Sequence, residues 1–182
     1  MKHRRLIGLT GPARAGKDTA GTVIKWIQGW ETYALASPIK ETMNGLFGWD
    51  GRHSFGELKE VIDPDWGFSP RQAYQLFGTE FGRSLREDLW LRMAEVKYRK
   101  QGSLIITDIR FENEASFIRQ NGGIIIHVSR KDCEKVNAHS SEAGIAWNAR
   151  DMTIPNDGTI EDFKSKVKDL INLIDFDYES RY

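Results

Sequence analysis

Residues 11–19 read Gly-Pro-Ala-Arg-Ala-Gly-Lys-Asp-Thr and fit the spacing G-x-x-x-x-G-K, which demands a strand, a tight loop and a helix in that order. The flanks agree. Before the loop, Arg5-Leu-Ile-Gly-Leu-Thr10 is an apolar run suited to a buried parallel strand. After it, Ala20, Val23, Ile24 and Ile27 recur at helical spacing within residues 18–30. Glycines allow successive backbone N–H groups to turn towards one anion, and the helix N-terminus adds partial positive charge. A lysine after the second glycine reaches the outer phosphates. The segment therefore predicts a phosphate site lined by Gly11, Arg14, Ala15, Gly16, Lys17, Asp18 and Thr19, with Asp18 where Ser or Thr usually stands.

A chain of 182 residues suits one domain with a sizeable core. Its 26 Lys and Arg are balanced by 26 Asp and Glu, so no global field favours nucleic acid or an anionic membrane. Phosphate binding must then rest on locally placed cations. The single cysteine, Cys133, excludes an internal disulfide and a multi-cysteine metal site, which fits a reducing cytoplasm. No apolar stretch approaches the roughly 20 residues that span a bilayer. Met1-Lys-His-Arg-Arg5 is basic, but only five strand residues precede the loop, so no signal peptide is expected. Trp26, Trp30, Trp49, Trp66, Trp90 and Trp147 are each expected to pack in a core.

Strand patterns recur at 6–10, 32–36, 103–107, 124–129 and 152–154, with helical patterns between them. This alternation predicts an α/β fold with a five-stranded parallel sheet covered by helices on both faces. Ser69-Pro70-Arg71-Gln72 reads as a capping box with proline at the first helical position, and Gly78-Thr79 as an interruption of that helix. Asn121-Gly122-Gly123 closes a helix over 112–120, and Thr159 to Asp162 opens a last one with Phe163, Val167, Leu170, Ile171 and Ile174 on one face. Residues 175–182 are polar and expected to fray. The expected domain has a core of 1–37, 102–130 and 151–175. Two insertions, a helical one at 38–101 with a loop at 48–68 and a shorter polar one at 131–150, should rise from the carboxyl edge of the sheet, where α/β folds bind ligands.

Further candidates follow from placement. Asp108 and Arg110 lie just past an apolar strand and share a direction on an extended chain. The acid can hold water on Mg²⁺ or orient an attacking oxygen while the arginine takes a phosphate, or Asp108 can cap the next helix. Lys40, Arg71, Arg83 and Arg86 are cations of the large insertion, fit for an acceptor phosphate, and Gln75, Thr79 and Glu80 stand where they could read a base edge. Arg130, beside Lys131, is a lid arginine or a surface charge. His139-Ser-Ser-Glu142 suits a lid hydrogen-bond network, and the remaining histidines offer no metal-ligand spacing. Asn156-Asp157-Gly158 can touch a donor base or form a plain turn.

In shared order, these segments resemble the bacteriophage-type deoxynucleoside monophosphate kinases, within the P-loop nucleoside monophosphate kinase group. The resemblance rests on Gly16-Lys-Asp-Thr19, Pro70-Arg-Gln72, Gly78-Thr-Glu80 with Arg83, and Ile106 to Ala115. It continues through Asn121-Gly-Gly123, Val128-Ser-Arg130, His139-Ser-Ser-Glu142 and Ile154 to Thr159. It implies ATP on the loop, Mg²⁺ between donor phosphates with Asp18 and Thr19 holding the metal or its water, and a deoxynucleoside monophosphate on the large insertion. By position, Lys17 would neutralise the transferring phosphoryl group. Arg71, Arg83 and Arg110 would grip the acceptor phosphate, and Arg130 would close from the lid. Expected partners are small nucleotides in the cytoplasm (the host's, for a phage-encoded chain), with a homodimer left open. Glu112 departs from the proline expected after Phe111. The Gly-Lys-Asp loop is also similar to that of phosphomevalonate kinases, so a kinase for a non-nucleotide phosphate, phosphomevalonate-like or dephospho-coenzyme A-like, is the rival reading. A non-catalytic nucleotide switch would need a guanine-reading N-K-x-D or a switch threonine, and neither is found.

Overall fold

The computed structural model describes residues 5–131 and 144–179, the side chains of the last helix through Asp175. It divides into two units, residues Met1–Tyr33 with Glu95–Tyr182, and Ala34–Ala94.

The first unit is built on five parallel strands, β1 (Arg5–Thr10), β2 (Glu31–Tyr33), β3 (Ser103–Ile106), β4 (Ile124–Ser129) and β5 (Met152–Pro155), in the order β2-β3-β1-β4-β5. The phosphate-loop strand is thus central, between β3 and β4. Strand alternation sorts the side chains onto two faces. Ile7, Leu9, Ile105, Ile126, Val128 and Ile154 meet Ala20 and Ile24 of α1 (Lys17–Gln28) and Phe163, Val167, Ile171 and Ile174 of α8 (Ile160–Glu179). On the other face, a side chain at Gly8 would press on Ile125, Ile109 and Ile118, the last from α7 (Glu112–Gln120). Helices therefore cover both faces, as the alternation predicts. Thr159 and Asp162 cap α8 reciprocally, at 3.1 Å each way. Gly122 and Gly123 close α7 onto Arg119 and Ile118.

Several expectations need correction. Strand β2 is Glu31–Tyr33 and not 32–36, because Ser37-Pro38 starts a helix and proline is favoured in its first turn. Of the tail expected to fray, 175–179 are helical and 180–182 lie outside the described residues. Helix α8 continues to Glu179, and the Asp175 carboxylate accepts from Arg5 and from Gln28 Nε2 (2.6 Å). Trp49 and Trp90 are buried, but Trp26, Trp66 and Trp147 are exposed.

The second unit holds α2 (Ser37–Phe47), the short α3 (Gly51–Ser54), a 3₁₀ turn (Glu57–Glu60), α4 (Pro70–Gln75), α5 (Gly82–Leu85) and the first turn of α6 (Leu89–Gln101). The segment expected as a loop at 48–68 thus contains two helical turns. It folds over an aromatic cluster in which Trp49 meets Phe47 at 4.7 Å and Tyr74 at 6.0 Å, with Trp49 Nε1 donating to Asp63 (2.7 Å). The capping box forms: Ser69 Oγ accepts from Gln72 N, and Gln72 Oε1 accepts from Ser69 N. Gly78-Thr79 does not interrupt the helix. Residues Leu76–Phe81 widen into a π-helical turn joining α4 to α5. The Trp90 indole donates to the Gly78 carbonyl (2.7 Å), and Gly82 leaves room for its ring.

Candidate active site

In the first unit, β1 ends at Thr10 and the chain turns at once under β4. A side chain on Gly11 (φ 135°) would lie 2.1 Å from the Val128 carbonyl. Gly16 (φ 110°) and Arg14 (φ 63°) are also left-handed, and such a succession turns backbone N–H groups into a common concavity. Lys17 opens α1, whose N-cap is Gly16 with no side-chain cap, and a helix N-terminus of this kind favours an anion. Lys17 Nζ lies back along the loop, donating to the carbonyls of Gly11 (2.7 Å) and Pro12 (2.6 Å). Asp18 is exposed beside it and Thr19 half-buried.

Strand β3 delivers the second part. Past Ile106 the chain stays extended, with Thr107 N donating to Tyr33 O (3.0 Å) and Ile109 N to Leu9 O (2.9 Å). Thr10 Oγ1 closes the junction by donating to Ile109 O (2.8 Å). Ile109 is buried between half-buried Asp108 and Arg110, as alternation requires, so both polar residues stand at the end of β3 next to the phosphate-loop strand. The connection from β1 runs outward to β2 and that from β3 runs back to β4. That reversal is the place where α/β sheets bind ligands. A glutamate caps α7. The buried Glu114 Oε2 accepts from Arg110 N (2.8 Å) and Phe111 N (3.1 Å). The signal for it was a glutamate at the third helical position.

The third part lies past β4 and β5. Asn156 N donates to Ser129 O (2.7 Å), and Lys131 N to Asp157 Oδ1 (2.8 Å). Arg130 sits exposed between these anchors. The Asn156 side chain turns inward, donating to Ala15 O of the phosphate loop (2.8 Å). Residues 132–143, with Cys133, His139, Glu142 and most of the expected lid, lie outside the described residues. The return segment is anchored by a cluster that the sequence did not flag. The buried Asp151 carboxylate accepts from Arg119 Nη2 (2.6 Å), His127 Nε2 (3.1 Å) and Asn148 N (3.0 Å). Burial by itself would raise the Asp151 pKa, but the hydrogen bonds from Arg119, His127 and Asn148 outweigh it and hold it below 3.8. Glu112, the departure noted above, accepts from Ala146 N and pairs with Arg119 (3.5 Å).

In the second unit, Arg71 is 7 % exposed and paired with Glu60 (2.9 Å). Gln75, one turn on, has a buried Nε2 with no hydrogen-bond partner among the described residues. Arg83 is held by Glu87 (3.6 Å), and Lys40 Nζ lies 3.8 Å from the centre of the Phe55 ring. Thr79 is half-buried and Glu80 exposed. Arg86 is exposed and bonded to Asp88, which also takes Arg92 (2.9 Å).

No group of three or more His, Cys, Asp or Glu could hold a metal among the described residues. A nucleotide-bound Mg²⁺ asks for less, one or two carboxylates with waters and phosphates completing its shell, which Asp18 and Asp108 suit.

The central phosphate loop and this strand order are those of the P-loop kinases. A gluconokinase from Sinorhizobium meliloti 1021 superposes over 100% of both chains with a TM-score of 0.53 at 10% identity, which shows the fold alone. The family model for deoxynucleotide monophosphate kinase matches residues 5–60 and 49–167. A protein of Acanthamoeba polyphaga mimivirus, provisionally described as a deoxynucleotide monophosphate kinase, is 30% identical over 89% of this chain and 93% of its own length. The deoxynucleotide monophosphate kinase of Escherichia phage RB69 is 28% identical over 71% of this chain, which spans 58% of that relative. The chain belongs to the deoxynucleotide monophosphate kinase family, and it is an ATP-dependent kinase.

Proposed function

We propose that the chain transfers the γ-phosphoryl group of ATP to the phosphate of a deoxynucleoside monophosphate, giving ADP and the deoxynucleoside diphosphate. The observation that carries this reading is the adjacency of the phosphate loop on β1 and the Asp108–Arg110 pair on β3, at the reversal point of the sheet. Phosphoryl transfer needs positioning and charge stabilisation more than covalent help, and these residues supply both.

Lys17 swings from the Gly11 and Pro12 carbonyls to the outer phosphates. Backbone N–H groups of the loop hold the inner ones. Mg²⁺, held through Asp18 and Asp108, with Thr19 on its water, would neutralise charge on the donor phosphates. Asp108 orients the attacking phosphate oxygen and Arg110 binds that phosphate. Arg130, an exposed cation where β4 ends, approaches the transferring group.

The candidate acceptor-binding cations of the second unit are Lys40, Arg71, Arg83 and Arg86. Arg71 and Arg83 are the better fitted, since each is held by a carboxylate with its own side chain largely buried. Gln75 carries a buried amide nitrogen with no partner among the described residues, a group that gains when a base edge supplies an acceptor. Thr79 stands on the next turn. In a phage setting the reaction takes place in the host cytoplasm.

The test is an ADP-release assay across deoxy- and ribonucleoside monophosphates, with phosphomevalonate and dephospho-coenzyme A as rival acceptors. At least one deoxynucleoside monophosphate should accelerate ADP release well above the acceptor-free rate. Acceleration by a non-nucleotide acceptor alone overturns the reading.

A further inference from the structure

We infer that Asn156 sets the phosphate loop in its anion-binding conformation and does not read the base of the donor nucleotide; this rests on the ATP site proposed above. The Asn156 amide nitrogen donates to the Ala15 carbonyl at 2.8 Å across 141 positions of sequence. In a planar trans peptide the carbonyl and the following N–H point in opposite directions. Drawing Ala15 O towards β5 therefore turns the Gly16 N–H the other way, to the face where the loop gathers its donors around a phosphate. One side-chain hydrogen bond thus fixes the orientation of one main-chain donor.

The surroundings make Asn156 a rigid post. Its own N–H is tied to Ser129 O at 2.7 Å, and the next residue, Asp157, is tied to Lys131. A side chain at Gly16 would lie 2.6 Å from Asn156 Nδ2 and 3.2 Å from the Phe163 ring, so the loop is seated directly against them. The loop needs such support. Arg14 holds φ 63° without being glycine, a conformation that persists only where neighbours impose it. With one Nδ2 proton engaged by the Ala15 carbonyl, the amide is held against the loop backbone, so what the residue governs is phosphate, whatever base is attached.

Inorganic tripolyphosphate separates the two roles because it carries the phosphates without a base. Binding of ATP, tripolyphosphate and a deoxynucleoside monophosphate, each with Mg²⁺, is measured by calorimetry on the wild type and on Asn156→Ala. The variant should bind ATP and tripolyphosphate more weakly by the same factor, about tenfold for one misoriented donor to a charged group. Unaltered monophosphate affinity shows that it is folded. Weaker ATP binding with unchanged tripolyphosphate binding, or no change in either, overturns the inference, as does an equal loss of all three ligands. If the wild type binds neither ATP nor tripolyphosphate, the ATP site itself is refuted.

Discussion

Gly82 and Gly45 both lie in helices of the second unit with right-handed backbones, yet alanine should act on them with opposite signs. At Gly45, in α2, an added methyl group meets nothing within 4 Å. Only the backbone preference counts there, and Gly45→Ala should stabilise by about 0.5–1 kcal/mol. At Gly82 the same methyl would lie 2.4 Å from Trp90 Cζ2, 2.7 Å from Cε2 and 2.9 Å from Nε1. Trp90 is 8 % exposed and bonded to the Gly78 carbonyl, so it can retreat only by breaking that bond. Overpacking costs about 1–3 kcal/mol and a stranded buried carbonyl about 1–3 more. Set against a helix-propensity gain of about 1 kcal/mol, the net destabilisation is about 1–5 kcal/mol, with a midpoint of about 3. For a chain of this size the melting temperature should fall by roughly 5–10 °C with Gly82→Ala and rise by about 2–3 °C with Gly45→Ala. Thermal unfolding by circular dichroism reads both. If the two variants shift in the same direction, the tight Trp90 seat under the π-helical turn is not real. The Gly82 variant should also raise the KM for the monophosphate while leaving ATP affinity unchanged, since the damage lies in the second unit.

Lys17→Ala should lower turnover a hundredfold to a thousandfold, about 3–4 kcal/mol, without changing the melting temperature; activity within tenfold of wild type would remove the ATP-site assignment. Arg83→Ala should raise the monophosphate KM tenfold or more, for the loss of about 1.5–3 kcal/mol of charged hydrogen bonding, and equal weakening of ATP would mean a folding defect. Asp151→Asn should cost about 2 kcal/mol of stability, below the range for fully buried pairs because the Arg119 side chain is 20 % exposed. The folded pKa of Asp151 is lowered, so its contribution is fully present above the unfolded value of 3.8 and is lost as pH falls through the folded one. In urea titrations the gap between wild type and Asp151→Asn should therefore be full at pH 5 and shrink below pH 4. A gap independent of pH would show that the Asp151 charge contributes nothing.

What the sequence determined by itself is everything written in short spacing. The phosphate loop was legible because two glycines and a lysine within seven residues dictate their own backbone. The same holds for the Ser69 capping box, the glycine stop after α7, the Thr159–Asp162 cap and the apolar face of α8. Apolar runs spaced by helices were enough to place five parallel strands. Where local signals competed, reading failed: Ala34 to Ala36 suit a strand until Ser37-Pro38 claims the next residues for a helix. Gly78-Thr79 suits a break until the Trp90 indole supplies a donor to the widened turn. Other features have no local signal at all. Asp175 is held in α8 by Arg5 and Gln28, Asp151 gathers Arg119 and His127, and Asn156 grips Ala15. Each joins residues far apart in sequence, and which of them meet follows from strand order. Putting β1 between β3 and β4 is a choice among packings of the whole sheet, and only the tertiary structure makes it. That choice brings Asp108 and Arg110 beside the phosphate loop and turns Asn156 onto its backbone.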